Sequence, residues 1–179
     1  MKIIQETTFE KVRKAINQSR KTAPERSNLG YAERPIIFSS NNDELNRKVL
    51  EKLRIDILLI NLEKRKDFQK QRNSGFNQIL AKIAKKNNIT IGINFDELID
   101  APERSNFGYA EASSFRGHPC GKRHKNKSEI LARIQQNIML CNKNKLKMKF
   151  IAEKHNRNIY DLKSLGLILG MPTNMMKFL

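Results

Sequence analysis

RNSGFNQILAKIAKKNNITIGINF, Arg72 to Phe95, decides the fold. A polar lead-in loop with one glycine precedes a segment in which Ile79, Leu80, Ile83 and Ala84 share one helical face, with Lys82, Lys85 and Lys86 on or near the opposite one. Asn87 and Asn88 are expected to stop that helix. Ile89, Ile91, Ile93 and Phe95 then alternate with Thr90, Gly92 and Asn94, the period of a β-strand in a β-branched run. Loop, helix and strand in this order make half of a β-α-β unit.

The same alternation continues on both sides. Upstream, Phe9–Arg20 has helical spacing through Phe9, Val12, Ala15 and Ile16 behind a Thr8 cap. Ile36–Ser39 reads as a short strand, Asp43–Leu53 as a helix, and Ile55–Asn61 (IDILLIN) as a strand apolar enough to be buried on both faces. Downstream, Ser128–Lys143 is a long helix capped by Ser128 that turns Ile130, Leu131, Ile134, Ile138 and Met139 to a core. Lys147–Ala152 follows as a strand, and Leu162–Leu169 as a final apolar turn or strand before Pro172. Strands alternating with helices predict an α/β fold on a parallel sheet with right-handed crossovers.

At 179 residues the chain has room for one domain with a real core, and the whole of 1–179 reads as a single α/β domain. Its 35 Lys and Arg against 18 Asp and Glu leave a formal net charge of +17, so a polyanion, nucleic acid by default, is the expected partner. Heavy use of Lys and Asn also fits an AT-rich coding bias, which discounts charge as evidence by itself. No apolar run approaches the ~18 residues that span a bilayer. The first residues, MKIIQETTFEKVRK, carry acids and lack a signal-peptide core, which predicts a soluble, cytoplasmic protein. Cys120 and Cys141 are too few for a disulfide framework and read as reduced thiols.

APERSNLGYAE at 23–33 recurs as APERSNFGYAE at 101–111, identical at ten of eleven positions, without repetition of the flanks. A solenoid needs similarity through each whole repeat. Polar inserted loops, 23–33 and 101–124, fit better, because added surface length costs little closure entropy.

Cations gather in two further places. Lys64, Arg65, Lys66, Lys70 and Arg72 follow the IDILLIN strand, and Arg116, Lys122, Arg123, Lys125 and Lys127 precede the long helix. Loops after strand C-termini are the usual working face of α/β sheets. Such loops could hold phosphates while Phe68, Phe76, Phe115 or Tyr160 stacks on a base; the plain alternative is a solvated charged surface. His118, Cys120 and His124 are natural zinc donors at poor spacing, with a fourth ligand to come only from Cys141 or His155, so no metal site is predicted. Asp96, Glu97 and Asp100 bunch at a strand end, where helix-dipole stabilisation accounts for them without catalysis. No nucleophile elbow, phosphate-binding P-loop or dinucleotide fingerprint is present, and no catalytic residue is predicted.

Three segments in order, RNSGFNQILAKIAKKNNITIGINFDEL, KSEILARIQQNIMLCNKNKLKMKFIA and RNIYDLKSLGLILGM, resemble the archaeal ribonuclease P protein component 3 family over about residues 36–171. That resemblance implies a TIM-barrel-like fold, here a reduced or incomplete barrel, since only about 35 residues precede the matched region. It also implies an accessory role in removing the 5′ leader of precursor tRNA, with the chemistry and its Mg²⁺ belonging to the ribonuclease P RNA and no cofactor on the protein. Implied partners are that RNA, precursor tRNA and a small second protein component. By motif position, Arg72, Asn73, Ser74, Gly75 and Asn77 belong to the family's first loop, and Arg157, Asn158, Tyr160 and Asp161 to its late one, where Ile159 replaces a common proline. The expected RNA contacts are therefore Lys64, Arg65, Lys66, Lys70, Arg72, Asn73, Lys122, Arg123, Lys125 and Arg157. The competing readings are a metal-dependent phosphoesterase on a related barrel and a non-catalytic protein interaction scaffold.

Overall fold

A computed structural model describes residues 3–21, 35–63, 65–67, 69, 72–101, 127–155 and 157–176. In chain order these form β1 (Ile3–Ile4), α1 (Phe9–Lys21), β2 (Ile37–Ser39), α2 (Asp43–Lys52), β3 (Ile57–Ile60), α3 (Gln78–Lys86), β4 (Thr90–Asn94), α4 (Phe95–Asp100), α5 (Lys127–Asn144), β5 (Met148–Ile151) and α6 (Ile159–Ile168). The five strands make one parallel sheet in the order β1-β2-β3-β4-β5. Each strand lies beside the one before it, and the sheet is open. Past β5, a single bridge from Met148 to Met176 extends the edge.

Strand periodicity sorts the side chains. Ile4, Phe38, Leu58, Ile60, Ile91, Ile93, Met148 and Phe150 face one way and join Val12, Ile16, Leu45, Val49, Leu80, Ala84, Ile130 and Ile134 of the helices in the main core. Ile37, Ile57, Leu59 and Ile151 face the other way and form a separate cluster, against which Ile3 packs. No described helix contributes to that second cluster. Ile57, Leu59 and Ile151 converge over Gly92, where a Cβ would lie 3.1, 3.2 and 2.8 Å from their methyl carbons. Glycine in the middle of a strand normally weakens it. Here it is what lets residues from β3 and β5 meet across β4.

Local chemistry accounts for the boundaries. Asn42, Asn77, Asn94 and Asn158 each cap the helix that follows, accepting backbone N–H groups through the side chain. At the other end of α3, Asn88 takes φ of 54°, its N–H bonds Lys85 O and the N–H of Ile89 bonds Ala84 O, the paired bonds of a Schellman stop. α5 ends in the same way at Lys145, with φ of 55°.

Several expectations need correction. Leu162–Leu169 is not a strand: Asn158 caps a helix that runs through it and buries little besides Gly166. Phe95 starts α4 instead of continuing β4, because Asn94 caps there. Ser128 lies inside α5, which begins at Lys127. Ile79 and Met139, expected in the core, are 54% and 74% exposed; α3 turns Leu80, Ala81 and Ala84 inward, and α5 buries Arg133, Asn137 and Cys141 on the stripe Met139 was to share. The two-residue β1 is too short to carry a periodicity, so the sequence pattern does not reveal it. The segments 23–33 and 101–124 lie outside the described residues, except Ala101, which is buried.

Candidate nucleic-acid interface

The connection from β3 to α3 is built around two buried arginines. Arg65 turns back on its own loop: Nε donates to Asn61 O at 2.7 Å and Nη1 to Asp43 Oδ1 at 2.7 Å, with the side chain 3% exposed. Its guanidinium fills the space where a Cβ of residue 75 would stand, and Gly75, with φ of 70°, leaves that space open, so any side chain there would overlap it. From the other side α5 delivers Arg133, 0% exposed, whose Nε donates to Asn73 O at 3.1 Å and Nη2 to Asp67 Oδ1 at 2.6 Å. The same Asp67 oxygen accepts Asn73 N–H at 2.8 Å, and Asn73 Oδ1 accepts Gly75 N–H at 3.0 Å. Asn137 Nδ2 reaches Ser74 O at 3.4 Å and Gln136 Nε2 reaches Arg72 O at 3.5 Å. Buried charge is tolerated only when paired and hydrogen-bonded; each arginine has one carboxylate and one carbonyl partner, while Arg65 Nη2 and Arg133 Nη1 are buried without one.

At the C-terminal ends of the strands lies a polar cleft of about 280 Å³, lined in part by Glu63, Asp96, Glu97, Asp100 and Glu153, with Asn41, Asn61 and Asn94. Its best-placed carboxylates are occupied. Burial pushes the Asp96 pKa up, but the N–H groups of Glu153, Lys154 and His155, at 2.7, 3.2 and 3.1 Å, outweigh it and hold the group below the usual aspartate value. Glu97 goes the other way: burial raises it despite the Leu62 N–H at 2.7 Å. Asp100 is held low, first by the His155 ring nitrogen at 2.9 Å and also by Lys154 Nζ at 3.4 Å. His155 is thus a partner for the acidic strand end that sequence proximity did not offer. Among the described residues, no group of three or more His, Cys, Asp or Glu is arranged to hold a metal ion. Five carboxylates outnumber the one cation of the lining, Lys154, so the interior of the cleft disfavours phosphate.

The expected RNA contacts separate accordingly. Arg65 is corrected from surface cation to buried scaffold, and Asn73 is half-buried with its side chain committed to Gly75. Lys66, Arg72 and Arg157 are exposed on the loops around the cleft. Lys64, Lys70, Lys122, Arg123 and Lys125 lie outside the described residues, as do Arg116, His118, Cys120, His124, Phe68 and Phe115. Phe76 is 4% exposed and packed in the core, so it presents no stacking face. Tyr160 is 68% exposed with Lys163 Nζ 5.5 Å from its ring centroid. Sequence reasoning missed the role of Arg133 and Asn137; their period with Ile130 and Ile134 on α5 was the available signal.

No protein-family model and no curated protein matches the chain. A solved structure does. The chain shares its fold with a chain in the cryo-EM structure of archaeal ribonuclease P with mature tRNA. The two superpose with a TM-score of 0.62 at 19% identity, covering 95% of this chain and 59% of that one. The chain therefore spans little more than half the length of its structural neighbour.

Proposed function

We propose that the chain is an RNA-binding protein subunit of ribonuclease P that assists the catalytic RNA in removing the 5′ leader of precursor tRNA. The observation that carries this reading is the fold shared over 95% of the chain with a component of archaeal ribonuclease P. A net charge of +17 supports it, as does the conversion of the RNSGFN segment, the first of the three family-like motifs, into a loop fixed by two buried arginines. In this reading the open parallel sheet is the incomplete part of a TIM-barrel-like fold, and 1–179 acts as one domain. The protein contributes no catalytic side chain: it positions RNA, and Mg²⁺ serves the RNA-catalysed step. Its partners are ribonuclease P RNA, precursor tRNA and a small second protein component, in the cytoplasm. Among the described residues no helix is long and apolar enough to cross a membrane.

On the described surface, Lys66, Arg72 and Arg157 are the loop cations free of the constraints that hold Arg65 and Asn73; Lys64, Lys70, Lys122, Arg123 and Lys125 complete the proposed set. Competition binding examines the reading. Complexes of this protein with a ribonuclease P RNA transcript should survive an excess of unrelated structured RNA. Equal displacement by any RNA would reduce the protein to a nonspecific polycation.

A further inference from the structure

The two ends of the sheet differ in charge. Just ahead of β3, β4 and β5, the bonds Thr90 N–H to Asp56 O at 2.9 Å and Ile91 N–H to Lys147 O at 3.0 Å set the incoming segments side by side, about 4.8 Å apart. Arg20 joins them through Nη2 to Arg54 O at 2.7 Å. Arg20, Arg54, Lys85, Lys86, Lys145 and Lys147 are all exposed along this edge. Asp56, the acid among them, is turned to Ile36 N–H at 2.7 Å. The cleft at the opposite end is lined by carboxylates.

Cations in the last turn of a helix stabilise it through the macrodipole, and that suffices for Arg20, Lys85 and Lys86. It does not account for Arg54, which lies beyond a helix end; Lys147 Nζ donates to Asn174 O at 3.1 Å, a bond that leaves its charge at the surface. Nor does the macrodipole account for Lys145, which holds φ of 55° where glycine or asparagine sits with less strain and where Asn88 does the same work after α3.

We propose that this strand N-terminal edge is a phosphate-contact surface, distinct from the loops around the cleft, on which the chain receives an RNA backbone. The proposal rests on the RNA-binding reading above. Exposed cations attract phosphate, so this edge adds RNA contacts to those of the loops around the cleft, whose acidic interior stays free of phosphate.

The deciding experiment measures affinity for a ribonuclease P RNA transcript against salt, using the full chain, a combined Arg54→Gln, Lys86→Gln, Lys145→Asn variant, and a Lys66→Gln, Arg72→Gln variant. Removing the cation from one phosphate should flatten the log–log slope by about 0.7 to 0.9, so the edge variant, which lacks three, should flatten it by about 2 to 3. Lys145→Asn relieves backbone strain, and a melting temperature no lower than that of the Arg54→Gln, Lys86→Gln parent shows that the change in slope does not come from unfolding. An unchanged slope in a folded edge variant overturns the proposal. Absence of RNA binding by the unaltered chain would instead refute the underlying functional reading.

Discussion

Gly75→Ala is the substitution for which the structure sets the sharpest cost, and Gly170→Ala is its internal control. Both glycines have positive φ, 70° at Gly75 and 84° at Gly170. A methyl group at 170 meets nothing within 4 Å, so that change should cost only the left-handed penalty of about 1 kcal/mol. At 75 the same methyl lands in the Arg65 guanidinium. Arg65 must then leave Asp43 Oδ1 and Asn61 O. Removing one partner of a buried ion pair costs roughly 3 to 5 kcal/mol, and the lower end applies because the Asp43 side chain is 45% exposed. The expected losses, read by urea denaturation, are about 4 kcal/mol for Gly75→Ala and about 1 for Gly170→Ala. A double-mutant cycle with Arg65→Ala assigns the difference, since Gly75→Ala should cost about 1 kcal/mol once Arg65 is gone. Equal losses at 75 and 170, or a cycle with no coupling, would refute the packing of Arg65 on the Gly75 backbone.

Four other outcomes follow from the structure. Arg133→Ala should cost about 3 kcal/mol or more and increase amide exchange across residues 72–76, because it removes the buried donor that ties Asp67 to Asn73 O; normal protection there would contradict the clamp. The folded pKa of Asp96 lies below its ordinary 3.8, so its stabilisation is full above that value and is lost as pH falls through the lower folded value. Asp96→Asn should therefore lower stability at neutral pH and flatten the acid limb of a denaturation profile. Glu97→Gln should act oppositely on the slope, because a raised folded pKa adds stability as pH falls through it. Burial pushes the Cys141 thiol to about 12, so in a Cys120→Ser variant Ellman's reagent should react only at the rate of unfolding; rapid native labelling would show that α5 does not bury it.

The fold was legible where period and capping agree. IDILLIN and TIGIN each carry enough β-branched residues to mark a buried strand, and QILAKIAKKNN carries both an amphipathic stripe and its stop. α6 was misread because its apolar residues lie on all sides, leaving no 3.6-residue stripe, and a short apolar run without period reads equally as strand or helix. The site was less legible. Arg65 stands in a run of cations and gives no local sign of burial; its interactions with Asn61 O, with Asp43, 22 residues earlier, and with Gly75 remove it from the surface. The charge asymmetry between sheet ends is likewise a product of topology, since Arg20, Arg54, Lys85 and Lys147 are far apart in sequence and come to the same end of the sheet only through the parallel strand order.

The measurement that bears most directly on the whole account is cleavage of precursor tRNA by ribonuclease P RNA at modest Mg²⁺, with and without this protein and the small second component, alongside a reaction lacking the RNA. The account predicts faster release of the 5′ leader that requires the RNA subunit. Cleavage by the protein without RNA, or an RNA-catalysed rate indifferent to its presence, would contradict it.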